Sequence, residues 1–589
     1  MAPPRLSQSP DRPVLLILQI AILFRLINVS CIRTFFQPDE FFQSLEPAWN
    51  LAFGPDSGAW ITWEWKHQLR SSLHPIIFSL AYTLADAIAR VLPFFASFRV
   101  TALLAAPRIL QAVFAALGDW YTWQLATKIY PQDANVSMFA LLLQFASPWQ
   151  WYCSTRTFSN SLEMTLTVAA LYYWPWQLLG SAQPVKENPQ MANLSRHVWE
   201  LRASLSLAAF AVILRPTNIL IWLTIVFFTL TRLTFRGPSP LSPSDVLILL
   251  REGILCGSLV LAVSLISDYL YFGFWTFPTY NFLYFNISQS LAVFYGRNPW
   301  HYYILQGLPL LCTTSLPFAI RASYKPTAPT VAQQNVLKTF SYTAASTILA
   351  LSLISHKEVR FIHPLLPILN LLSAPLAASF FTSSVSQRGS RSLSLRNKPY
   401  LVAALAINIL LAGFLSFLHQ PAPLTVLSFL RSEFERTHTT PSQKIPSDQH
   451  KDLFALFLMP CHSTPWRSHL IHSGLSAYAL SCEPPLHTQP NTPERDNYRD
   501  EADRFYDDPI HFLSQELFAE DTGLPTPRYI VGFEGIEPWL QEFLETPRGK
   551  ALAIKPRPVW SGFNGFFNED WRRSGNMVVW ETSNHNNHN

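Results

Sequence analysis

Apolar runs recur along this chain from residue 13 to residue 418, several of them near the ~20 residues needed to cross a hydrocarbon core. PVLLILQIAILFRLINV (13–29), MFALLLQFASPW (138–149) and NILIWLTIVFFTLTRL (218–233) are three of them. Backbone immersed in lipid must satisfy its own hydrogen bonds, so such runs fold as helices. Composition agrees: of 589 residues, 49% are hydrophobic, 14% aromatic and only 14% charged, an excess of aromatic surface over what a soluble core takes up. The expected fold is a polytopic α-helical membrane protein with about ten to twelve transmembrane helices. No small-residue cleavage site follows the first run, which reads as a retained helix rather than a signal peptide. A net charge of +5 spread along the chain gives no basic stripe for nucleic acid.

Short segments rich in Lys and Arg mark the cytosolic side of such a protein. They are TRLTFRG (231–237), RASYKPT (321–327) and QRGSRSLSLRNK (387–398), the last with Arg388, Arg391, Arg396 and Lys398. Residues 34–73, 273–301 and 355–363 then share the opposite, luminal face, as does everything after residue 418. A sequon at Asn286 agrees with that side, and further sequons stand at Asn135 and Asn193. The division expected is a membrane domain over 1–418 and a C-terminal mixed α/β luminal domain over 419–589, where strand-like pieces such as RYIVGF and MVVW occur. Arg215-Pro216 interrupts residues 203–230, so that stretch is one kinked helix or two short ones. That choice leaves the side of TRTFSNSLE (155–163) open. Cys31, Cys153, Cys256 and Cys312 lie in or beside apolar runs as structural thiols; Cys461 and Cys482 lie in polar sequence and either pair or stay free.

Chemistry-bearing groups concentrate in the luminal stretches. Asp39 and Glu40 in FQPDEFFQSLEP read, from the residues alone, as first-turn acids that offset the exposed N–H groups of a helix start. A base near neutral pH is the rival reading. ITWEWKHQLRSSLHP (61–75) adds Trp63, Glu64, Arg70 and His74 to the same loop. In SHKEVRFIHP, His356, Lys357, Glu358, Arg360 and His363 stand between two apolar runs. Snorkelling explains the Lys and Arg there but not the Glu and two His, so this cluster reads as functional, its Lys and Arg suited to a phosphate. Trp300 and His301 in NPWHYYILQGLP fit a sugar or an interfacial belt. Asn160 in TRTFSNSLE reads as a helix-to-helix hydrogen-bonding group beside Arg156 and Glu163. Two adjacent carboxylates without a third ligand at regular spacing predict no metal.

In this order, PDEFFQSLEPAW, TWEWKHQLRSSLHP, TRTFSNSLE, FYGRNPWHYYILQGLP, SHKEVRFIHPLLPIL and LMPCHSTPWRSHL resemble the dolichyl-phosphate-mannose-dependent mannosyltransferases, glycosyltransferase family 22 of the C-type superfamily. The resemblance runs from residue 34 to about 580. It implies a C-type fold in the endoplasmic reticulum membrane, dolichyl phosphate mannose as donor, no cofactor, and a lipid-linked glycan as acceptor. LMPCHSTPWRSHL (458–470) with DEADRFYDDP (500–509) resembles the branch that adds the third mannose, in α-1,2 linkage, to the GPI-anchor precursor, with inversion at the anomeric carbon. By that resemblance Asp39 is the base and Glu40 its neighbour in acceptor binding or orientation. His356, Lys357 and Arg360 hold the donor phosphate, Glu358 orients them, and Trp63, Glu64, Arg70 and His301 line the acceptor side. His462 shapes acceptor recognition. Sister enzymes that extend the N-glycan lipid precursor or add a fourth GPI mannose share HKEVRF and the early carboxylates. A polytopic lipid or sugar transporter, or a non-catalytic membrane subunit, is the reading from another class; it calls for related halves with broken midplane helices.

Overall fold

The computed structural model describes residues 11–92, 97–179, 198–231, 243–289, 291–387, 390–438, 453–489, 492–520, 524–568 and 570–584. Six of its helical stretches are long and apolar enough to cross a membrane: Pro13–Cys31, Phe98–Ile129, Pro243–Phe272, Tyr303–Tyr324, Val359–Phe381 and Lys398–Thr437. Shorter or more polar helices pack among them, namely Leu73–Val91, Ala134–Ala146, Ser159–Tyr173, Val198–Leu214, Ile219–Thr231 and Val331–Ser352. The last stretch breaks near Gln420, where φ is positive, so its membrane-crossing part is Lys398–Phe417.

Lipid and protein solvents are distributed unequally over these helices. Pro243–Phe272 leaves Ile254, Leu259 and Leu270 largely exposed, whereas Val359–Phe381 lies in the core with Leu366, Ile368, Leu371 and Ala374 buried. Close helix contact relies on small residues, because lipid gives helices no hydrophobic reason to associate. Gly118 is one: a Cβ there would stand 2.8 Å from Thr165 Oγ1 across the interface with Ser159–Tyr173. At Arg215-Pro216 the chain makes two helices, Val198–Leu214 and Ile219–Thr231, joined by a single turn Pro216–Asn218. Proline has no N–H for the helix ladder and disfavours helical backbone before it; Arg215 is accordingly extended, at φ −142° and ψ 102°.

The three long loops meet at one end of the helix set. Asn298 N donates to Ser355 O at 3.0 Å, and Phe35 N donates to Gln420 O at 2.9 Å. Arg156 reaches Glu40, so TRTFSNSLE lies at that end too. The basic segment 387–398 contributes to a hairpin, β1 (Thr382–Gln387) paired antiparallel with β2 (Ser390–Leu395), instead of a plain loop. Asn135 Nδ2 bonds Thr382 Oγ1 beside it. Of the other basic segments, residues 232–237 lie outside the described residues, as does the Asn193 sequon.

After the helix Ala422–His438, five strands form a mixed sheet in the order β4-β3-β5-β7-β6: β3 Leu453–Leu458, β4 Ala477–Ala479, β5 Pro527–Phe533, β6 Ile554–Gly562 and β7 Met577–Asn584. β3 runs parallel to both of its neighbours and is buried on both faces, which is why LFALFL is apolar without alternation. One face packs Phe457, Val531, Met577 and Val579 into a single core with Phe35, Phe41, Phe42, Leu45 and Trp49 of the first loop. Its other face, with Leu456, Leu458 and Trp580, is covered by residues of the segments 501–518 and 536–543. The first loop is therefore a floor on which the sheet rests. Truncating one of its buried phenylalanines to Ala would cost about 3–5 kcal/mol.

Candidate active site

The first helix ends at Cys31, and the chain is then pinned by Thr34 Oγ1 donating to Leu415 O at 2.6 Å and Tyr152 OH donating to Phe35 O at 3.2 Å. Pro38 O accepts from both Phe41 N and Phe42 N at 2.9 Å, starting the wide turn Phe41–Leu45. At this helix start Glu40 makes no side-chain cap. Asp39 and Glu40 do occupy the first turn of a helix, and each carboxylate is engaged there by an arginine on a different wall.

Asp39 Oδ2 forms an ion pair with Arg360 Nη1 at 2.6 Å. Arg360 spends the rest of its fork on Glu358, with Nε to Oε2 and Nη2 to Oε1 both at 2.7 Å. Glu358 Oε1 also meets His356 Nε2 at 3.1 Å. Burial favours the protonated form of Glu358, but Arg360 and His356 outweigh it and hold the carboxyl well below its usual range. Asp39 is 20% exposed and Arg360 only 5%, so the carboxylate stands at an opening and the guanidinium behind it. Among the described residues Asp39 Oδ1 has no hydrogen-bond partner. The Arg360 fork is filled by Asp39 and Glu358; it bridges two carboxylates and offers no free bidentate edge to a phosphate.

Glu40 faces the other way. Its Oε2 pairs with Arg156 Nη1 at 2.8 Å, at side-chain exposures of 9% and 2%. Arg156 also donates to Thr34 Oγ1 at 3.2 Å and stacks over the Tyr152 ring at 4.3 Å. Glu40 O accepts from Ser44 Oγ and Thr157 Oγ1 at 2.8 and 2.9 Å. Glu40 is thus a backbone anchor that fixes the direction of its neighbour.

Lys357, buried at 3% exposure, donates its Nζ to Asn298 O at 2.9 Å, and Asn298 Nδ2 donates back to Lys357 O at 2.8 Å. Arg70 Nη2 pairs with Glu64 Oε1 at 3.0 Å and its guanidinium lies 5.2 Å from the Phe282 ring. Trp63 is packed with Leu69 and Leu291. His301 meets Trp300 edge-on at 5.5 Å, and no contact among the described residues joins it to the Asp39 cluster. His462 enters from the C-terminal segment, 4.2 Å from the Phe42 ring and 4.9 Å from Trp60. It is flanked by a disulfide between Cys461 and Cys482, whose Cα atoms are 5.8 Å apart. Burial pushes the His462 ring down to about 4; the Asp39 charge opposes this and Arg573 reinforces it.

Sequence reasoning treated Arg215 only as a helix break, yet its charge joins this cluster: its electrostatic neighbours include Arg70, Glu163, Arg360 and Asp39. A charge inside an otherwise apolar run was the available signal.

A family model described as the Alg9-like mannosyltransferase family matches residues 16–471. A relative named GPI mannosyltransferase 3, from Gibberella zeae, is 65% identical over 576 residues, covering 95% of this chain and 94% of its own length. The human GPI alpha-1,2-mannosyltransferase 3 is 32% identical over 538 residues, covering 91% and 83% respectively. Among solved structures, ArnT from Cupriavidus metallidurans, crystallised with undecaprenyl phosphate, superimposes with a TM-score of 0.54 at 12% identity, over 97% of this chain and 98% of that one. At that identity the likeness speaks for the fold alone.

Proposed function

Because this chain belongs to the Alg9-like mannosyltransferase family and is a membrane mannosyltransferase, we propose that it transfers mannose from dolichyl phosphate mannose to the GPI-anchor precursor. It adds the third mannose in α-1,2 linkage, on the luminal side of the endoplasmic reticulum membrane. The relatives' names supply the acceptor class. The reading of the site rests on one observation: a carboxylate at an opening, Asp39, oriented through a single guanidinium nitrogen by Arg360, whose remaining donors are held by Glu358.

A β-linked donor and an α-linked product require a single displacement with inversion. Asp39 accepts the proton of the acceptor hydroxyl as that oxygen attacks the anomeric carbon. Arg360 and Glu358 are positioning residues that keep the carboxylate aimed. Glu40, tied to Arg156, fixes the backbone from the other wall. Lys357, a buried cation whose ammonium meets one carbonyl, stands by for the departing phosphate with His356. Glu64 and Arg70 contribute to the acceptor side as a preformed pair.

The test is mannosyl transfer in membranes supplied with dolichyl phosphate mannose and a two-mannose GPI precursor. Asp39→Asn at matched abundance is expected to lose activity by about 10²–10⁴-fold, the span of a removed general base. Undiminished transfer by Asp39→Asn would remove it from the chemistry. A wild type that extends an N-glycan precursor instead would reassign the acceptor.

A further inference from the structure

Five arginines are buried among the described residues: Arg25, Arg156, Arg215, Arg360 and Arg467. Four are matched by acceptors. Arg25 pairs with Asp119, Arg156 with Glu40 and Arg360 with Asp39 and Glu358, and Arg467 donates to the carbonyls of His472 and Leu475. Arg215 is different. At 5% exposure, its guanidinium makes no hydrogen bond or ion pair among the described residues. What it touches is the face of Phe361, 4.9 Å from the ring centroid, and the Arg360 guanidinium lies 5.7 Å from the same centroid.

Nor does the neighbouring carboxylate answer it. Glu163 Oε1 accepts from Asn218 Nδ2 at 2.9 Å, and Oε2 accepts from Asn160 Nδ2 at 3.3 Å, so amides rather than Arg215 fill it. A guanidinium withdrawn from water, with Glu163 and Asp39 acting on it only at a distance, is costly, and a cation–π contact recovers only part of that cost. Pro216 contributes the geometry: by ending the helix at Leu214 it delivers Arg215 on extended backbone into the Asp39 cluster. The next cation along the Phe361 segment, Lys357, has only a carbonyl for its ammonium. The cluster therefore holds two buried cations without a carboxylate partner, an arrangement receptive to an anion.

We propose that Arg215 binds the phosphodiester of the lipid-linked donor and neutralises the charge that gathers on it during transfer. This rests on the function proposed above. In the step, the acceptor oxygen bonds to the anomeric carbon and its proton passes to Asp39. The bond from the anomeric carbon to the phosphate oxygen breaks with its electron pair leaving on the phosphate, so the diester monoanion becomes a monoester bearing one more negative charge. Arg215 supplies the planar fork that Arg360 has already committed to carboxylates.

Initial rates of the full-length enzyme in membranes, varied in each substrate separately, test this with Arg215→Gln and Arg215→Lys. For Arg215→Gln, kcat/KM for dolichyl phosphate mannose is expected to fall about 10- to 150-fold, the range of a hydrogen bond to a charged group. KM for the acceptor should stay fixed, and product inhibition by dolichyl phosphate should weaken in step. Arg215→Lys should recover part of both effects. Unchanged donor kinetics and unchanged inhibition at wild-type abundance would overturn the proposal. So would a Gln variant that fails to accumulate while Arg215→Lys binds dolichyl phosphate as well as wild type, since Arg215 is then a structural group. Thermal stabilisation of the protein by dolichyl phosphate alone separates this from the underlying reading. Stabilisation of wild type but not of Arg215→Gln supports the site even if transfer to the GPI precursor is not found; equal stabilisation of both overturns it.

Discussion

Two of the buried ionic networks among the described residues are finished to different degrees. In the first, Arg25 donates Nε and Nη2 to Asp119 at 2.6 and 3.1 Å and Nη1 to Asn28 at 3.0 Å. Gln150 Nε2 adds a third bond to Asp119 at 3.0 Å, and Gln150 Oε1 meets His363 Nε2 at 2.9 Å. Arg25 and Asp119 have no exposure at all. This network ties the helices Asp11–Cys31, Phe98–Ile129 and Pro148–Cys153 to the turn before Leu366–Phe381. The second, around Asp39, Arg360, Glu358 and His356, is likewise built on an Arg–Asp pair but leaves a carboxylate oxygen open and a neighbouring Arg215 unmatched. The Arg25–Asp119 pair at the centre of the first network is saturated, even though His363 Nδ1 at its edge has no partner; on the function proposed above, the openings of the second are where a substrate completes the bonding.

That contrast predicts different failures. The largest is expected from Arg25→Met, which strands Asp119 in the core: about 3–5 kcal/mol of stability, read as lost abundance and a lower unfolding temperature in detergent. Adding Asp119→Leu should restore much of it, because an apolar pair carries no desolvation cost; no recovery would mean the network does more than hold helices. Glu358→Gln is the counterpart in the second network. It frees part of the Arg360 fork to close on Asp39, so transfer should drop by about 10- to 100-fold at wild-type abundance, the effect of losing a supporting partner. A loss of abundance instead would erase the distinction between the networks. The smallest effect concerns pH. His462 is neutral in the fold until about pH 4 against an ordinary value of 6.5, so the unfolded chain takes up a proton first. Its stabilising share is complete above pH 6.5 and is lost as pH falls toward 4. Unfolding temperatures measured from pH 7 to 4 should fall less steeply for His462→Gln than for wild type.

Much of this was legible in sequence for physical reasons. Hydrophobic runs announce membrane helices, and the strand-like pieces RYIVGF and MVVW lie on β5 and β7. SHKEVRFIHP stood out because its Glu and His have no reason to lie between apolar runs. What sequence did not carry was partnership. Asp39 and Arg360 lie far apart in the chain, and nothing local told that Arg360 would be spent on carboxylates. Adjacent Asp39 and Glu40 looked like one unit; the turn between them sends them to opposite walls. Arg25 passed as one charge in the first run until Asp119 faced it. The pairing of Cys461 with Cys482 likewise needed the fold to bring residues on either side of β4 together.

Glu46 gives this architecture a temporal order. Its buried carboxylate, which burial pushes toward the neutral form, is met by the N–H groups of Trp60 at 3.1 Å and Ser468 at 2.8 Å. One of those donors is synthesised almost at once, the other only after the membrane helices have been made. During chain growth the Asp39 loop emerges early, yet the wall that steadies it arrives with the last part of the polypeptide. A chain interrupted before residue 468 carries the Asp39 loop without the second donor to Glu46, so the setting of that loop is complete only once the segment around Ser468 has been made.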